Sequence, residues 1–362
     1  MSKEIISGKQ GISMMTLFFM GSTLIVGTSG VAERDTWLAI LLAASMSLPV
    51  MFVYSRILSF YPGKDLFDIL EIIFGKIICK FIQFLYFWFP FFLGALVIRN
   101  ITDFISVAGL PGTPEFIPKL LMVILCILVI KDGIEVLGRI VTFILPIVFI
   151  IILMGTILSF PMYELSNIRP VMYNGFKPIL LGAFETFTFP FTEAVIFTMV
   201  LSSLKSQVSS YKVYYMSLLF GGFTIIIISV RNLLILGNEF VTSLYFPSYS
   251  ALSVIKYGTF IERIEIAATV AFVFTSFAKI SVCMYAATKG FAKFLHLGNY
   301  RTMAAPVGLS MALLAGILFE NTSQFQEWGR NISPYYSLLF TVILPVFILI
   351  AVEIKVRFKI SV

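Results

Sequence analysis

Apolar runs of about 20 residues recur along this chain from Ile12 onward, separated by short polar stretches. A run of that length, at about 1.5 Å rise per residue, carries one helix across the hydrocarbon core of a bilayer. Ten such segments can be drawn. They are Ile12–Ser29, Trp37–Phe60, Ile77–Ser106, Ile117–Ile130, Ile140–Phe160, Pro178–Leu201, Tyr211–Leu236, Ile266–Ala287, Met303–Phe319 and Pro334–Val352. Only 12% of the residues are charged, against about 25% in a soluble domain. Too little polar surface remains to cover a globular core. The expected fold is therefore all-α and integral to the membrane, with about ten transmembrane helices and one polytopic domain over residues 1–362.

Several function classes fall away on the same grounds. The formal charge of +7 does not signal nucleic-acid binding, because no basic helix or soluble basic domain exists to carry it. Cys79, Cys126 and Cys283 lie in or beside apolar segments without metal-binding spacing, and read as small buried hydrophobes. His296 is the single histidine and sits in a basic loop. No metal site, cofactor or nucleophile–base pair is expected, and so no enzyme. The first apolar stretch is long and lacks a small-residue cleavage pattern, so it is expected as a span rather than a signal peptide.

Orientation follows from the basic residues. Of the 26 Lys and Arg, sixteen fall in segments on the side of the N-terminus and nine on the opposite side, with Lys279 inside a span. Arg99 and Arg231 are among the nine, read as outer-loop residues. The bias predicts both termini in the cytoplasm. On that inner side, Tyr61–Lys80 places Leu66, Ile69, Leu70 and Ile73 at helical spacing between acidic residues. It predicts a short amphipathic helix lying on the membrane interface.

Two segments carry helix-breaking signals. The first contains MGSTLIVGTSG, and the sixth contains AFETFTFPFTEAV with Pro190 in mid-span. Backbone in lipid must satisfy its own hydrogen bonds, so a span breaks only where it faces protein or a cavity. Ten spans divide as five plus five, and each half opens with a broken helix. That is the pattern of transporters built from two inverted repeats, here over about 12–160 and 178–352, with discontinuous helices 1 and 6 forming a midplane site. The freed N–H and C=O groups suit the two charged ends of an amino acid. The ligand's polar ends are accordingly expected at Gly21, Ser22 and Thr23, and at Phe187, Thr188 and Phe189, with Thr192 beside them. Its side chain is expected against Leu93 and Val97 of the third segment, on a face shared with Tyr86 and Phe89, and against Thr275 and Ser276 of the eighth.

Ionisable groups inside a span mark functional or paired sites. Glu185 and Glu193 lie in the sixth segment and Lys279 in the eighth. Glu265, Thr269, Ser276 and Lys279 fall on one helical stripe, so Lys279 must look into the protein. Two readings stay open for it: a fixed cation or titratable amine beside the site, or a structural partner of Glu193. Glu185 is expected at a water-filled vestibule.

These residues resemble the B subunits of spore germinant receptors, the GerAB-type spore germination permeases of the amino acid–polyamine–organocation (APC) superfamily. The resemblance runs through QGIS at Gln10–Ser13, YPGKDLFDILEIIFGK at Tyr61–Lys76, NIRPV at Asn167–Val171 and FTEAVIF at Phe191–Phe197. It continues through FPSYSAL at Phe246–Leu252 and GTFIERIE at Gly258–Glu265. It implies an inverted-repeat (LeuT/APC-like) fold, partner A and C subunits, and the inner membrane of a spore. It implies a nutrient-sensing role in germination, toward nutrients such as amino acids, in place of proton-coupled secondary amino acid transport. By analogy with sodium-coupled relatives of that fold, Lys279 would stand in for a metal cation between the first and eighth helices.

Overall fold

The computed structural model describes residues 4–109, 112–205, 207–255 and 263–358. Of the motif Gly258–Glu265, positions 258–262 lie outside the described residues. So do Lys3, Lys256 and Lys359 of the charge count.

Each hydrophobic segment forms helix. The first begins at α1 (Gly8–Met20), closed by a capping box in which the Ser7 hydroxyl accepts from the Gln10 N–H and Gln10 reaches back to the Ser7 N–H. It stops at Gly21 and resumes as the single turn α2 (Thr23–Val26). Gly27 then turns the chain at φ 78°, a left-handed conformation open to glycine without strain. The first half continues through α3 (Thr36–Phe60), α4 (Leu66–Phe104), α5 (Phe116–Asp132) and α6 (Ile134–Leu158). The second half opens with α7 (Phe176–Thr186), an irregular stretch through Phe187–Ile196, and α8 (Phe197–Val200). It proceeds through α9 (Ser210–Ser243), the short α10 (Pro247–Ser253) and α11 (Glu265–Phe294). It closes with α12 (Ala304–Ile317), α13 (Thr322–Asn331), and α14 (Ser333–Leu338) running through a wide turn into α15 (Leu344–Phe358).

Among the described residues, seven helices are long and apolar enough to cross a membrane, or eight if Tyr300–Ile317 and Thr322–Asn331, bent by 101°, count as one. The two remaining predicted spans are the broken first segment and α5, whose 17 residues fall just short. The chain is a multi-pass membrane protein. Its outer face shows bare hydrocarbon, with Leu121, Ile124, Leu128, Phe143 and Ile150 all exposed.

The interior is built around the broken segments. Phe18 of α1 meets Phe197 of α8 edge to face at 5.3 Å, and Phe19 meets Phe191 at 5.7 Å. Small residues let backbones close up, as membrane helices require in the absence of a hydrophobic drive between them. Gly221 of α9, for example, sits directly against the Phe19 ring.

Two expectations are corrected. The amphipathic helix forms, with Asp65 capping it and Gly75 (φ 69°) ending it before α4 continues as the third span. Its apolar face, however, packs on protein: Leu66, Ile69 and Leu70 are buried, and Phe67 lies against Gly290 of α11. Arg99 and Arg231 are not loop residues either. Both lie inside helices and are buried, Arg99 paired with Asp103 at 2.8 Å and Arg231 bonded to the Asn232 side chain. A guanidinium that finds a partner one turn or one residue away can stay within a span, which a count of basic residues does not register.

Candidate ligand-binding site

The two breaks face each other in the middle of the bundle, and hydroxyls occupy the carbonyls they release. At the first, Thr23 Oγ1 donates to Phe19 O (2.7 Å) and Met20 O (2.8 Å), and Thr275 Oγ1 of α11 donates to Gly21 O at 3.3 Å. At the second, Phe189 is extended (φ −138°, ψ 112°) ahead of Pro190, which has no N–H to carry the helix on. There Thr188 Oγ1 donates to Phe184 O and Glu185 O, each at 3.0 Å. Thr192 Oγ1 bonds Thr341 Oγ1 at 2.9 Å, and Tyr54 donates to Thr192 O at 2.9 Å. The breaks are thus held open by side chains on α3, α11 and the α14–α15 turn.

Beyond the first break, the chain is tied to α7. Thr28 Oγ1 lies 2.7 Å from Thr186 Oγ1, and Ser29 Oγ bonds both Gly182 O (2.9 Å) and the Thr186 hydroxyl. The irregular stretch Gly27–Ser29 therefore forms one rim of a cavity.

That cavity has a volume of about 490 Å³, within the range of small-molecule pockets. It opens at the end of the bundle opposite the N-terminus. Its floor is Ser22, Phe189 and Glu193; its walls are Phe89, Leu93, Leu96, Val97 and Asn100 of α4, with Ser229 and Asn232 of α9. Glu185, Glu33 and Arg330 supply charge nearer the mouth, and Trp328 and Arg330 of α13 lie over it. Of the residues expected to touch a ligand, Ser22, Leu93, Val97, Phe189, Glu185 and Glu193 line the space. Gly21, Thr23, Phe187, Thr188, Thr192, Thr275, Ser276 and Lys279 are packed behind it; the threonine hydroxyls serve the broken segments, whereas Ser276 Oγ is buried without a hydrogen-bond partner among the described residues. Tyr86 likewise lies behind, donating to Phe340 O at 3.4 Å.

The charged pair is the electrostatic centre. Lys279 Nζ bonds Glu193 Oε2 at 2.6 Å, with both side chains shielded from solvent. The ammonium also lies over the rings of Phe18 (4.8 Å) and Phe189 (4.7 Å), whose electron-rich faces favour a cation. Among the described residues, it makes no hydrogen bond to a carbonyl of the first break. Its methylene stem fills the space beside Gly21: a Cβ there would collide with Lys279 Cδ and come within 2.9 Å of Phe18 O. The lysine stem by itself demands glycine at position 21. Ser22 Oγ, by contrast, is buried at the cavity floor without a hydrogen-bond partner among the described residues. Among those residues, no group of His, Cys, Asp or Glu is arranged to hold a metal ion.

Sequence reasoning missed the α9 wall, where the Arg231 guanidinium fixes Asn232 Oδ1 (2.8 Å) and Asn232 Nδ2 donates to Ser248 Oγ (2.8 Å). It also missed the Tyr245 hydroxyl, 3.2 Å from Asn100 Oδ1, and the α13 helix. A polar pair Arg-Asn inside an apolar run was the available signal.

The opposite end of the bundle is closed. Ile6 pairs with Leu204 as a short parallel bridge, donating to Ser203 O at 2.7 Å, and Glu4 pairs with Arg301 at 2.6 Å. Asp65, buried, meets Lys289 at 2.8 Å and Lys293 at 2.7 Å. Burial alone pushes its carboxyl up, but the two ammonium groups outweigh this and hold it down at about 2. Lys289 also donates to Met199 O (3.3 Å) and Ser202 Oγ (2.9 Å), clamping the sixth segment to α11.

A helical membrane bundle whose first and sixth spans break at mid-depth around a one-sided cavity has the architecture of LeuT-type secondary transporters. The chain aligns with a substrate-bound, outward-open Na+-coupled sialic acid symporter at TM-score 0.67 and 12% identity, covering 99% of this chain and 91% of that one. It aligns with Mhp1, a nucleobase-cation-symport-1 family transporter in a closed conformation with bromovinylhydantoin bound, at TM-score 0.64 and 13% identity, covering 93% and 75%. At such identities the likeness is one of fold. The lineage is given by sequence: residues 5–324 match the family described as Spore germination protein, and the chain belongs to it. Spore germination protein KB of Bacillus subtilis (strain 168) is 26% identical over 354 residues, covering 97% of this chain and 95% of that protein. Putative spore germination protein YfkT of the same organism is 22% identical over 332 residues, covering 90% and 89%.

Proposed function

We propose that this protein is the nutrient-sensing B subunit of a spore germinant receptor. It takes a small ligand, an amino acid, into the cavity between the broken helices and triggers germination through partner A and C subunits. It would lie in the inner membrane of the spore with both termini cytoplasmic, so that the cavity opens outward. The chain would act as one transmembrane unit, with repeats over about 12–160 and 178–352. The observation that carries this reading is a pocket of small-molecule size at the meeting of the two breaks, in a chain of the germination family. Ser22 and Glu193 offer polar groups at its floor, and Leu93, Val97 and Phe89 offer an apolar wall.

The solved structures of like fold are transporters, and that favours one second reading, a proton-coupled amino acid transporter. Reconstitution in liposomes separates the two. A sensor binds a radiolabelled amino acid from its cognate nutrient set, yet shows no net uptake without its partners. Concentrative uptake by the isolated chain would establish the transporter instead.

A further inference from the structure

The floor of the cavity is built unevenly. Glu193 lines the cavity, whereas Lys279 is wholly buried and does not. Lys279 uses one carboxylate oxygen, Oε2, and among the described residues no group bonds Oε1. The ammonium rests between the faces of Phe18 and Phe189, and Phe189 also lines the cavity. A carboxylate backed by two ring faces is the chemistry that recognises an organic ammonium. The protein has placed its own ammonium there, on a stem anchored behind the wall. The stem in turn presses on the break of the first helix at Gly21, where no Cβ fits.

We propose that Lys279 is a tethered competitor for the ligand. A ligand amine entering the cavity reaches Glu193 and Phe189 from the open side and takes over the carboxylate, and the lysine releases it. Because the lysine stem fills the space beside Gly21, that release is felt first at the break of helix 1. The inference rests on the cavity being the ligand site, and it specifies the class of ligand group: a primary ammonium, received by charge exchange on Glu193. The tether gives Lys279 a high effective concentration, so the free amine must bring further contacts from the walls to displace it. A small amine without such contacts will compete poorly with the intact lysine and well once the lysine is gone.

The test uses ethylammonium chloride as probe, with ethanol and sodium chloride of equal ionic strength as controls, and reads the unfolding temperature of the purified full chain in detergent. A ligand that binds only the folded protein raises that temperature. Lys279→Ala should be stabilised saturably by ethylammonium alone. Its half-saturation should come at a concentration at least roughly tenfold below that needed for the unmodified protein. Glu193→Gln added to Lys279→Ala should abolish the effect. If Lys279→Ala cannot be recovered in any buffer, Lys279→Met, which keeps the stem, is read by the same comparison. The proposal is overturned if neither variant shows an amine-specific shift, or if the shift survives Glu193→Gln. Ethylammonium serves as a bare amine rather than a nutrient. A failed shift therefore removes the exchange and leaves the nutrient-binding and flux results to decide the sensor reading.

Discussion

The two ends of the bundle are built from opposite materials. At the end opposite the termini, backbone breaks, hydroxyls and aromatic rings leave a cavity of about 490 Å³. At the end carrying the N-terminus, the same helices are laced shut. There Asp65 bridges Lys289 and Lys293, Ile6 pairs with Leu204, and Glu4 holds Arg301. The Lys279–Glu193 pair stands at the boundary between them. Under the proposed function, a ligand would be admitted from one side only, and whatever it changes would pass the charged pair before it reaches the laced end. Opening and closing in this fold is thus a matter of which end holds the cheaper set of contacts to release.

The largest effect should come from the boundary. Removing one partner of a buried ion pair typically costs about 3–5 kcal/mol, because the other charge is left unpaired in a low-dielectric interior. Lys279→Met and Glu193→Gln should each lower the unfolding temperature sharply. The double variant should recover most of that loss while remaining unresponsive to amine-bearing nutrients. Non-recovery in the double variant would show that the two charges do more than neutralise each other.

Gly21→Leu should rank next. The new side chain must displace the Lys279 stem and Phe18 O, an overpacking typically worth about 1–3 kcal/mol or more. Nutrient response should be lost with it, and a variant that responds normally would break the link between helix 1 and the lysine.

Asp65→Asn sharpens the other side of the comparison. Asparagine keeps the N-cap of α4 but drops the charge. The carboxyl is depressed from 3.8 to about 2, so its stabilisation is present above the unfolded value and is lost as pH falls through the folded one. That depression corresponds to about 2 kcal/mol. The unmodified protein should hold its stability from neutral pH down to about 4 as far as this group is concerned, then lose it toward pH 2. Asp65→Asn should be less stable at neutral pH and should lack that acid-side loss. An identical acid profile in the variant would remove Asp65 from the lock.

The smallest effect should be at the cavity wall. Val97→Ala removes two methyl groups from the α4 face and should shift the relative response to nutrients of different side-chain size by about 1–3 kcal/mol, without abolishing all response. Germination dose–response curves for single amino acids measure it, and equal loss toward every nutrient would argue against a specificity wall.

How much of this was legible in the sequence differs between the same two regions. The ten segments follow from apolar run length, and the breaks at Gly21 and Pro190 follow from residues that cannot continue a helix. Lys279 facing inward follows from its stripe with Glu265 and Ser276. What stayed hidden depends on distances between elements far apart in the chain. Nothing local to Thr341 announces that it will meet Thr192, and nothing in Thr275 says that it will serve Gly21 O rather than a ligand. The α13 helix over the cavity mouth carries no apolar run to reveal it. The laced end was equally obscure: Asp65 reads as a helix cap, and only the packing of α4 on α11 brings two lysines to it.

The central claim is that the cavity at the breaks opens to the side opposite the termini while the other end is shut. Cysteine accessibility measures it directly. Cys79, Cys126 and Cys283 are buried, so replacing them by Ala or Ser gives a silent background. Single cysteines at Val97, on the cavity wall, and at Thr288, buried toward the laced end, are then exposed to a membrane-impermeant maleimide from the side opposite the termini. The account predicts rapid labelling of Val97→Cys and none of Thr288→Cys. Labelling of Thr288→Cys with Val97→Cys protected would contradict it.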